Sequence, residues 1–268
     1  AGGPLSTPEL INQIEIPVGN NPNLTEFSIN YALENDGRFD EVGPAGITLW
    51  FLKRLEPSEV QTTPQPLVFN SSIPEHPGTL AGYGDLNHLI DDELESLQVD
   101  SDAESITVSL SYPHWRSGTL PLTTRTQSFF PTAYETPRVK FVFVDGNSNS
   151  KFSGWVVRPS KYVYGLRDWY AQQGMMPGSN VTLRKSKNPE EVIILGNKNK
   201  NSRDWIRTIL VGADGGIVFA LLKQVITSTY DDRMAIFVPD VNAVDALWSN
   251  PNRQKMPVEQ SMYTVMCE

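Results

Sequence analysis

Arg138–Val144 reads RVKFVFV, runs into the turn Asp145-Gly146-Asn147, and is answered by FSGWVVR at Phe152–Arg158. Val139, Phe141 and Phe143 alternate with Lys140, Val142 and Val144. That period of two marks a strand with one face in a core, and the second run is its returning partner. Upstream, Glu104–Tyr112 (ESITVSLSY) sets Ile106, Val108, Leu110 and Tyr112 on one face. Gly118–Thr124 is a further strand, followed by a short helical turn at Thr126–Phe130 that Pro131 ends. Downstream lie a strand at Tyr162–Tyr164, a two-turn helix at Leu166–Gln173 and a turn at Pro177-Gly178. Asn180–Lys185 and Glu191–Leu195 form a last hairpin around Asn188-Pro189. Seven strands and two short helices predict a closed or nearly closed barrel over residues 104–196.

The flanks differ in kind. Residues 1–103 carry a net charge of −14, residues 104–196 carry +5 and residues 197–268 carry 0, within a total of −9 for the 268-residue chain. Such segregation marks domain boundaries, and it moves the search for a polyanion-binding surface to the basic middle. The Pro/Asn-rich opening to about Asn23 is read as an arm, and Leu24–Gly37 as a helix, with a strand reading open because Phe27, Ile29, Tyr31 and Leu33 also alternate. A second helix is predicted from Pro44 to Leu55, a turn at Ser58–Thr62, a strand at Pro66–Asn70 and an acidic helix at Asp85–Leu97. This order is compatible with a small winged-helix module, either DNA-binding or serving protein contact or a purely structural role. Its acidity favours the latter two, since phosphate attraction dominates duplex affinity. Residues 197–268 read as a β-meander (Trp205–Val211, Ile217–Gln224, Ile226–Tyr230, Met234–Val238) and a helix from the N-cap Asp240 to Trp248. Pro257–Glu268 reads as an apolar helical run without a cap, so the natural protein is expected to continue past Glu268, and Ala1-Gly2-Gly3-Pro4 reads as an expression scar or an internal start. The predicted class is α+β and strand-rich, in three parts: a helical first module, a pseudobarrel and a β-meander with a C-terminal helix.

Several chemistries lack their residues. Cys267 is the only cysteine, so neither an internal disulfide nor a cysteine zinc site can form, and a reducing cytoplasm is expected. No apolar run reaches the roughly 18 residues that cross a bilayer. Phosphate-loop, dinucleotide and nucleophile-elbow motifs do not occur, and His76, His88 and His114 have no partner at metal or triad spacing. The pairs Asp91-Asp92 and Asp231-Asp232 read as solvated charge. No cofactor or metal is implied, and the chain reads as a binding protein whose effector, if any, lies outside it.

With these elements in place, residues 104–195 resemble the plant B-three-type DNA-binding pseudobarrel, which effector-recognition domains of some restriction endonucleases share. The resemblance rests on ESITVSLSYPHWRSGTLPL, Phe129-Phe130-Pro131, KFVFVDG, FSGWVV, Tyr162-Val163-Tyr164-Gly165-Leu166, RDWYAQQ and Pro177-Gly178-Ser179 before NVTLR. It departs from the family at Ser179, where an acidic residue is usual, and in the helix, which usually opens on glycine-tryptophan. The resemblance implies two loops that grip the major groove of duplex DNA, here Pro113–Gly118 and Arg158–Tyr162. Arg116, Arg158 and Lys161 would meet base edges or phosphates, and Ser117 and Ser160 would make shorter hydrogen bonds. His114 and Tyr162 lie in the same loops, Arg125 reaches a neighbouring phosphate, and Trp115 is a loop aromatic placed for ligand contact. The rival expectation is a protein-interaction scaffold, in which the basic barrel docks an acidic partner or its own first module.

Overall fold

The computed structural model describes residues 3–17, 20–68, 103–133, 136–196, 198–212 and 216–248. The expected helices at Asp85–Leu97 and Pro257–Glu268, and the end of the expected strand Pro66–Asn70, lie outside these residues; Gln65–Leu67 is a 3-10 turn.

Residues 3–68 begin with β1 (Leu5–Ser6) and α1 (Thr7–Ile14). A capping box opens that helix, Ser6 N and Oγ each donating to Glu9 Oε2 at 2.8 Å. α2 (Pro22–Glu34) starts on Asn21, whose side chain accepts from Leu24 N, with Pro22 in the first turn. The helical reading of this stretch is therefore the one observed. β2 (Phe39–Glu41) and β3 (Leu49–Leu52) complete an antiparallel sheet in the order β1-β3-β2, followed by the one-turn helix α3 (Ser58–Gln61).

β3 corrects the helix expected over Pro44–Leu55, and with it the order read as a winged helix. Trp50 and Phe51 are adjacent, so they point to opposite faces of a strand, yet both are buried. Trp50 Nε1 donates to Thr7 Oγ1 at 3.2 Å and Asn30 Oδ1 at 3.1 Å, while Phe51 joins a cluster with Val42, Val60, Trp155, Val157 and Tyr162. A strand buried on both sides shows no alternation, and its apolar run is easily read as helical.

The middle of the chain contains β4 (Ser105–Ser109), α4 (Tyr112–Ser117), β5 (Thr119–Pro121), β6 (Arg138–Asp145), β7 (Lys151–Val157), β8 (Tyr162–Tyr164), α5 (Arg167–Gln173), β9 (Asn180–Lys185) and β10 (Glu191–Gly196). Its strands form one curled, mixed seven-stranded sheet, a half-barrel, in the order β4-β9-β10-β6-β7-β8-β5. β6 pairs antiparallel with β7 and parallel with β10. The alternation that predicted β6 is the observed burial: Val139, Phe141 and Phe143 are inside, and Lys140, Val142 and Val144 are half-exposed. Phe141 and Phe143 meet edge-on at 4.7 Å between centroids, with Phe130 at 5.7 and 6.4 Å. Gly154 lies opposite Phe141 because a Cβ there would stand 2.6 Å from that ring.

By internal contact the described residues form two units. The first draws on Ala1–Ile106, Thr119–Gly165 and Arg184–Ile194, and the second on Thr107–Gly118, Leu166–Leu183 and Leu195–Glu268. In the first, the Phe51 cluster gives β3 and β7 a common core. Arg138 Nη1 lies 2.7 Å from Asp40 and 3.6 Å from Glu56, and Lys53 Nζ lies 3.1 Å from Asp40.

The second unit is built on a long antiparallel hairpin, β11 (Lys198–Val211) and β12 (Ile217–Ser228), followed by β13 (Ile236–Phe237) and α6 (Val241–Trp248). Ile217–Gln224 and Ile226–Tyr230, expected as two strands, run as one to Ser228. β13 pairs parallel with β11 rather than antiparallel with β12, so the expected meander is not completed. The cause is a non-local anchor: Asp231 N donates to Gly178 O and Ile236 N to Pro177 O, which draws the returning chain to the far edge of β11. Asp240 caps α6 as expected, its Oδ1 accepting from Ala243 N at 2.9 Å.

Candidate functional site

In the first unit, the turn Arg158–Lys161 joins two strands whose register, Val157 opposite Tyr162, leaves four residues to reverse the chain. Lys161 N donates to Arg158 O at 3.2 Å to close it, and Lys161 has φ +52°. Outside glycine, asparagine and aspartate that conformation is uncommon and costs about 1 kcal/mol or more. The turn is held from below. Tyr162 is 1 % exposed and its hydroxyl donates to Glu59 O at 2.5 Å, with burial pushing its pKa up to about 12. Arg158 Nη1 donates to Thr136 O at 3.1 Å, and the Ser160 and Thr63 hydroxyls lie 2.9 Å apart.

Leu122 N donates to Lys161 O at 2.9 Å, which brings the next turn alongside. That turn folds around Thr126, whose hydroxyl accepts from Thr123 N at 2.8 Å and donates to Pro121 O at 2.9 Å, and it includes Arg125. Farther along, Lys185 Nζ stands 5.4 Å from the centroid of Phe129. Arg158, Ser160 and Lys161 are exposed and Arg125 half-buried, so neighbouring turns present three cations and a hydroxyl. Tyr162, expected as a contact, is instead the turn's buried anchor.

The other expected loop, Pro113–Gly118, belongs to the second unit and is helix α4. Pro113 fits its first turn, and Gly118 ends it at φ +68°, where a Cβ would come within 2.6 Å of Arg167. Ser117 is buried. Trp115 Nε1 donates to Met175 O at 2.9 Å, and its ring lies 6.0 Å from that of Tyr112. Arg116 Nε lies 3.0 Å from both Asp245 carboxylate oxygens, and its Nη2 also bonds Oδ2. Burial lowers the pKa of His114 to about 3, which keeps its imidazole neutral at pH 7. A bidentate pair to a carboxylate already uses the donors with which arginine reads guanine. Trp115 and Arg116 are thus engaged with Met175 and with Asp245 of α6.

Among the described residues, no group of three or more His, Cys, Asp or Glu side chains gathers as a metal site would require. Asp231 caps its own turn by accepting from Arg233 N at 2.8 Å, and Asp91-Asp92 lies outside the described residues. No helix among the described residues is long and apolar enough to cross a membrane. Comparisons with protein-family models, with curated protein sequences and with solved structures find no match.

Proposed function

We propose that this protein binds duplex DNA through the Arg158–Lys161 turn and the neighbouring turn that carries Arg125. The observation that supports this reading most is Lys161 at positive φ on an exposed turn tip. Glycine would relieve the backbone there, whereas lysine spends conformational energy to project an ammonium beside Arg158. Strain of this kind has a purpose when the side chain meets a ligand, and neighbouring cations with a hydroxyl suit a phosphate backbone and its base edges. The resemblance to the B-three-type pseudobarrel implies a loop at the same place.

The test is a titration of the full chain, because β3 and β7 share a core. Affinity for a labelled duplex, followed by anisotropy, is expected to fall with salt at a log–log slope of about −3, near 0.9 per phosphate contact. Arg158→Ala should weaken binding about five- to 150-fold if it reads a base. Arg116→Ala should leave binding unchanged, since that guanidinium is held by Asp245. A flat salt response, or equal binding by wild type and Arg158→Ala, sinks the reading.

Lys161→Gly separates grip from fold. It should lower the salt slope by about one. Thermal stability should stay constant or rise, because the left-handed residue becomes glycine. A loss of stability would mean that Lys161 holds the turn together.

A second reading, in which the basic sheet docks acidic protein surface, is supported by the contact of Arg138 with Asp40 and Glu56. It predicts that Arg158→Ala and Arg184→Ala weaken polyanion binding equally and slightly, as a diffuse basic surface would.

A further inference from the structure

The β11–β12 register sets Arg203 opposite Val225, Trp205 opposite Lys223 and Arg207 opposite Leu221. Directly opposed residues share a face, as do residues two apart on one strand, so these six side chains form one array. Cations and apolar groups alternate in it both along and across the strands. Trp205 is 63 % exposed, Leu221 61 % and Val225 53 %, values unusual for large apolar groups of a packed sheet. Toward the Val211–Ile217 end of the hairpin the same face continues through Ile209, Val211, Ile217 and Phe219, which pack with Tyr112, Trp115, Val241 and Val244. The array begins where that cover ends.

Its charge is of one sign. Neither strand places an Asp or Glu on this face; Asp204 points to the opposite side, where Ser202 Oγ donates to it at 2.6 Å. Arg203 and Lys223 have no ion-pair partner among the described residues, and Arg207 Nη1 donates only to Arg233 O at 3.0 Å. We infer that this face binds single-stranded DNA, one base stacking on the Trp205 indole while Arg203, Arg207 and Lys223 meet the flanking phosphates.

Charge complementarity chooses a polyanion, and the exposed indole chooses one with free aromatic faces. A duplex conceals its base faces, so the strand must be unpaired. The six side chains hold no acceptor for the proton of a ribose 2′-OH, so the array has no group that selects RNA over DNA. An anionic membrane fits less well, since three scattered apolar side chains, each beside a cation, bury little area and stable anchoring takes more.

The inference does not rest on the duplex reading, and one experiment separates them. The full chain is titrated with fluorescein-labelled oligothymidylate, with the matching oligouridylate, with a blunt duplex and with phosphatidylserine vesicles. Oligothymidylate should bind with a salt slope of about −2, near 0.7 per contact for single strands. Trp205→Ala should weaken it by about five- to 150-fold, and Trp205→Phe, which keeps a stacking ring, by much less. Arg203→Ala and Lys223→Ala should each flatten the slope by about 0.7. The fluorescence lost in Trp205→Phe should be the part that oligothymidylate quenches in wild type. Trp205→Ala should leave duplex affinity unchanged, and Arg158→Ala should leave oligothymidylate affinity unchanged. The inference is overturned by oligothymidylate binding that ignores Trp205, by tighter oligouridylate binding, or by Trp205-dependent binding of vesicles alone. Circular dichroism verifies that the variants are folded, as the exposure of Trp205 leads one to expect.

Discussion

Trp155→Ala is expected to lower stability by about 3–5 kcal/mol, the range for removing a large buried aromatic. Trp155 is 3 % exposed, stands 5.6 Å from Phe51 between ring centroids, and packs with Val42, Val60, Val157 and Tyr162. Lys140 Nζ lies over both rings, 4.5 Å from the Phe51 centroid and 5.6 Å from that of Trp155. Truncation therefore opens a cavity and removes one of the two aromatic faces under a half-buried ammonium. The damage should spread to Val42, β3 and α3, since Val42, Leu49, Phe51 and Val60 pack in this cluster. Limited proteolysis within residues 39–61 should accelerate in the variant, while Trp155→Phe should restore most of the resistance. Duplex affinity should also fall, because the Arg158–Lys161 turn springs from β7 and is anchored on the same cluster through Tyr162. A stability loss below about 1 kcal/mol, or unchanged cleavage in residues 39–61, would show that the two strand sets do not depend on one another.

The sheet was legible where a strand has one wet face. β6 announces itself by alternation, β7 is found as its partner across the turn Asp145-Gly146-Asn147, and β8 and β9 begin and end where the sequence predicts. β3 was not legible, because Trp50 and Phe51 are both buried and the polar face that would betray a strand is missing. Helix α4 was hidden differently. Pro113 and Gly118 bracket turns as readily as they bracket one and a half helical turns, and six residues are too few for a helical period to show.

At the site, Arg158, Ser160 and Lys161 were readable as polar residues between two apolar strands. The burial of Tyr162 was not, because a three-residue strand carries no periodicity to say which way its ends point. The engagement of Arg116 was out of reach for any local reading, since Asp245 lies 129 positions away. Arg203, Trp205 and Arg207 do alternate visibly within SRDWIRT. Which of the two hairpin faces stays bare depends on where α4 and α6 pack, and that is a tertiary fact.

Glu56→Gln is expected to stabilise the protein at pH 8 and to change it little at pH 5. The Glu56 side chain is fully buried beside Arg138, Asp40 and Lys53, and neither carboxyl oxygen has a hydrogen-bond partner among the described residues. Arg138 Nη1, at 3.6 Å, is too far to supply one. Burial first, and then the negative charge of Asp40, push Glu56 up from 4.5 to about 7, against the opposing pull of Arg138 and Lys53. Below pH 4.5 the carboxyl is neutral whether the chain is folded or not, so it carries no penalty. Between pH 4.5 and 7 the unfolded chain releases this proton while the folded one keeps it, and stability falls as pH rises. Above pH 7 the penalty is constant, on the order of 3 kcal/mol if the whole difference is expressed. Glutamine copies the protonated form, and its amide can donate to Asp40 as a carboxylic acid would. Urea unfolding of both proteins at pH 5 and pH 8, followed by tryptophan emission, measures the difference. Equal effects at the two pH values, or a variant that is weaker at pH 8, would mean that Glu56 is ionised and that Arg138 compensates it fully. The carboxylate would then be a working member of the ion-pair cluster, and Arg138→Met would destabilise the fold far more at pH 8 than at pH 5.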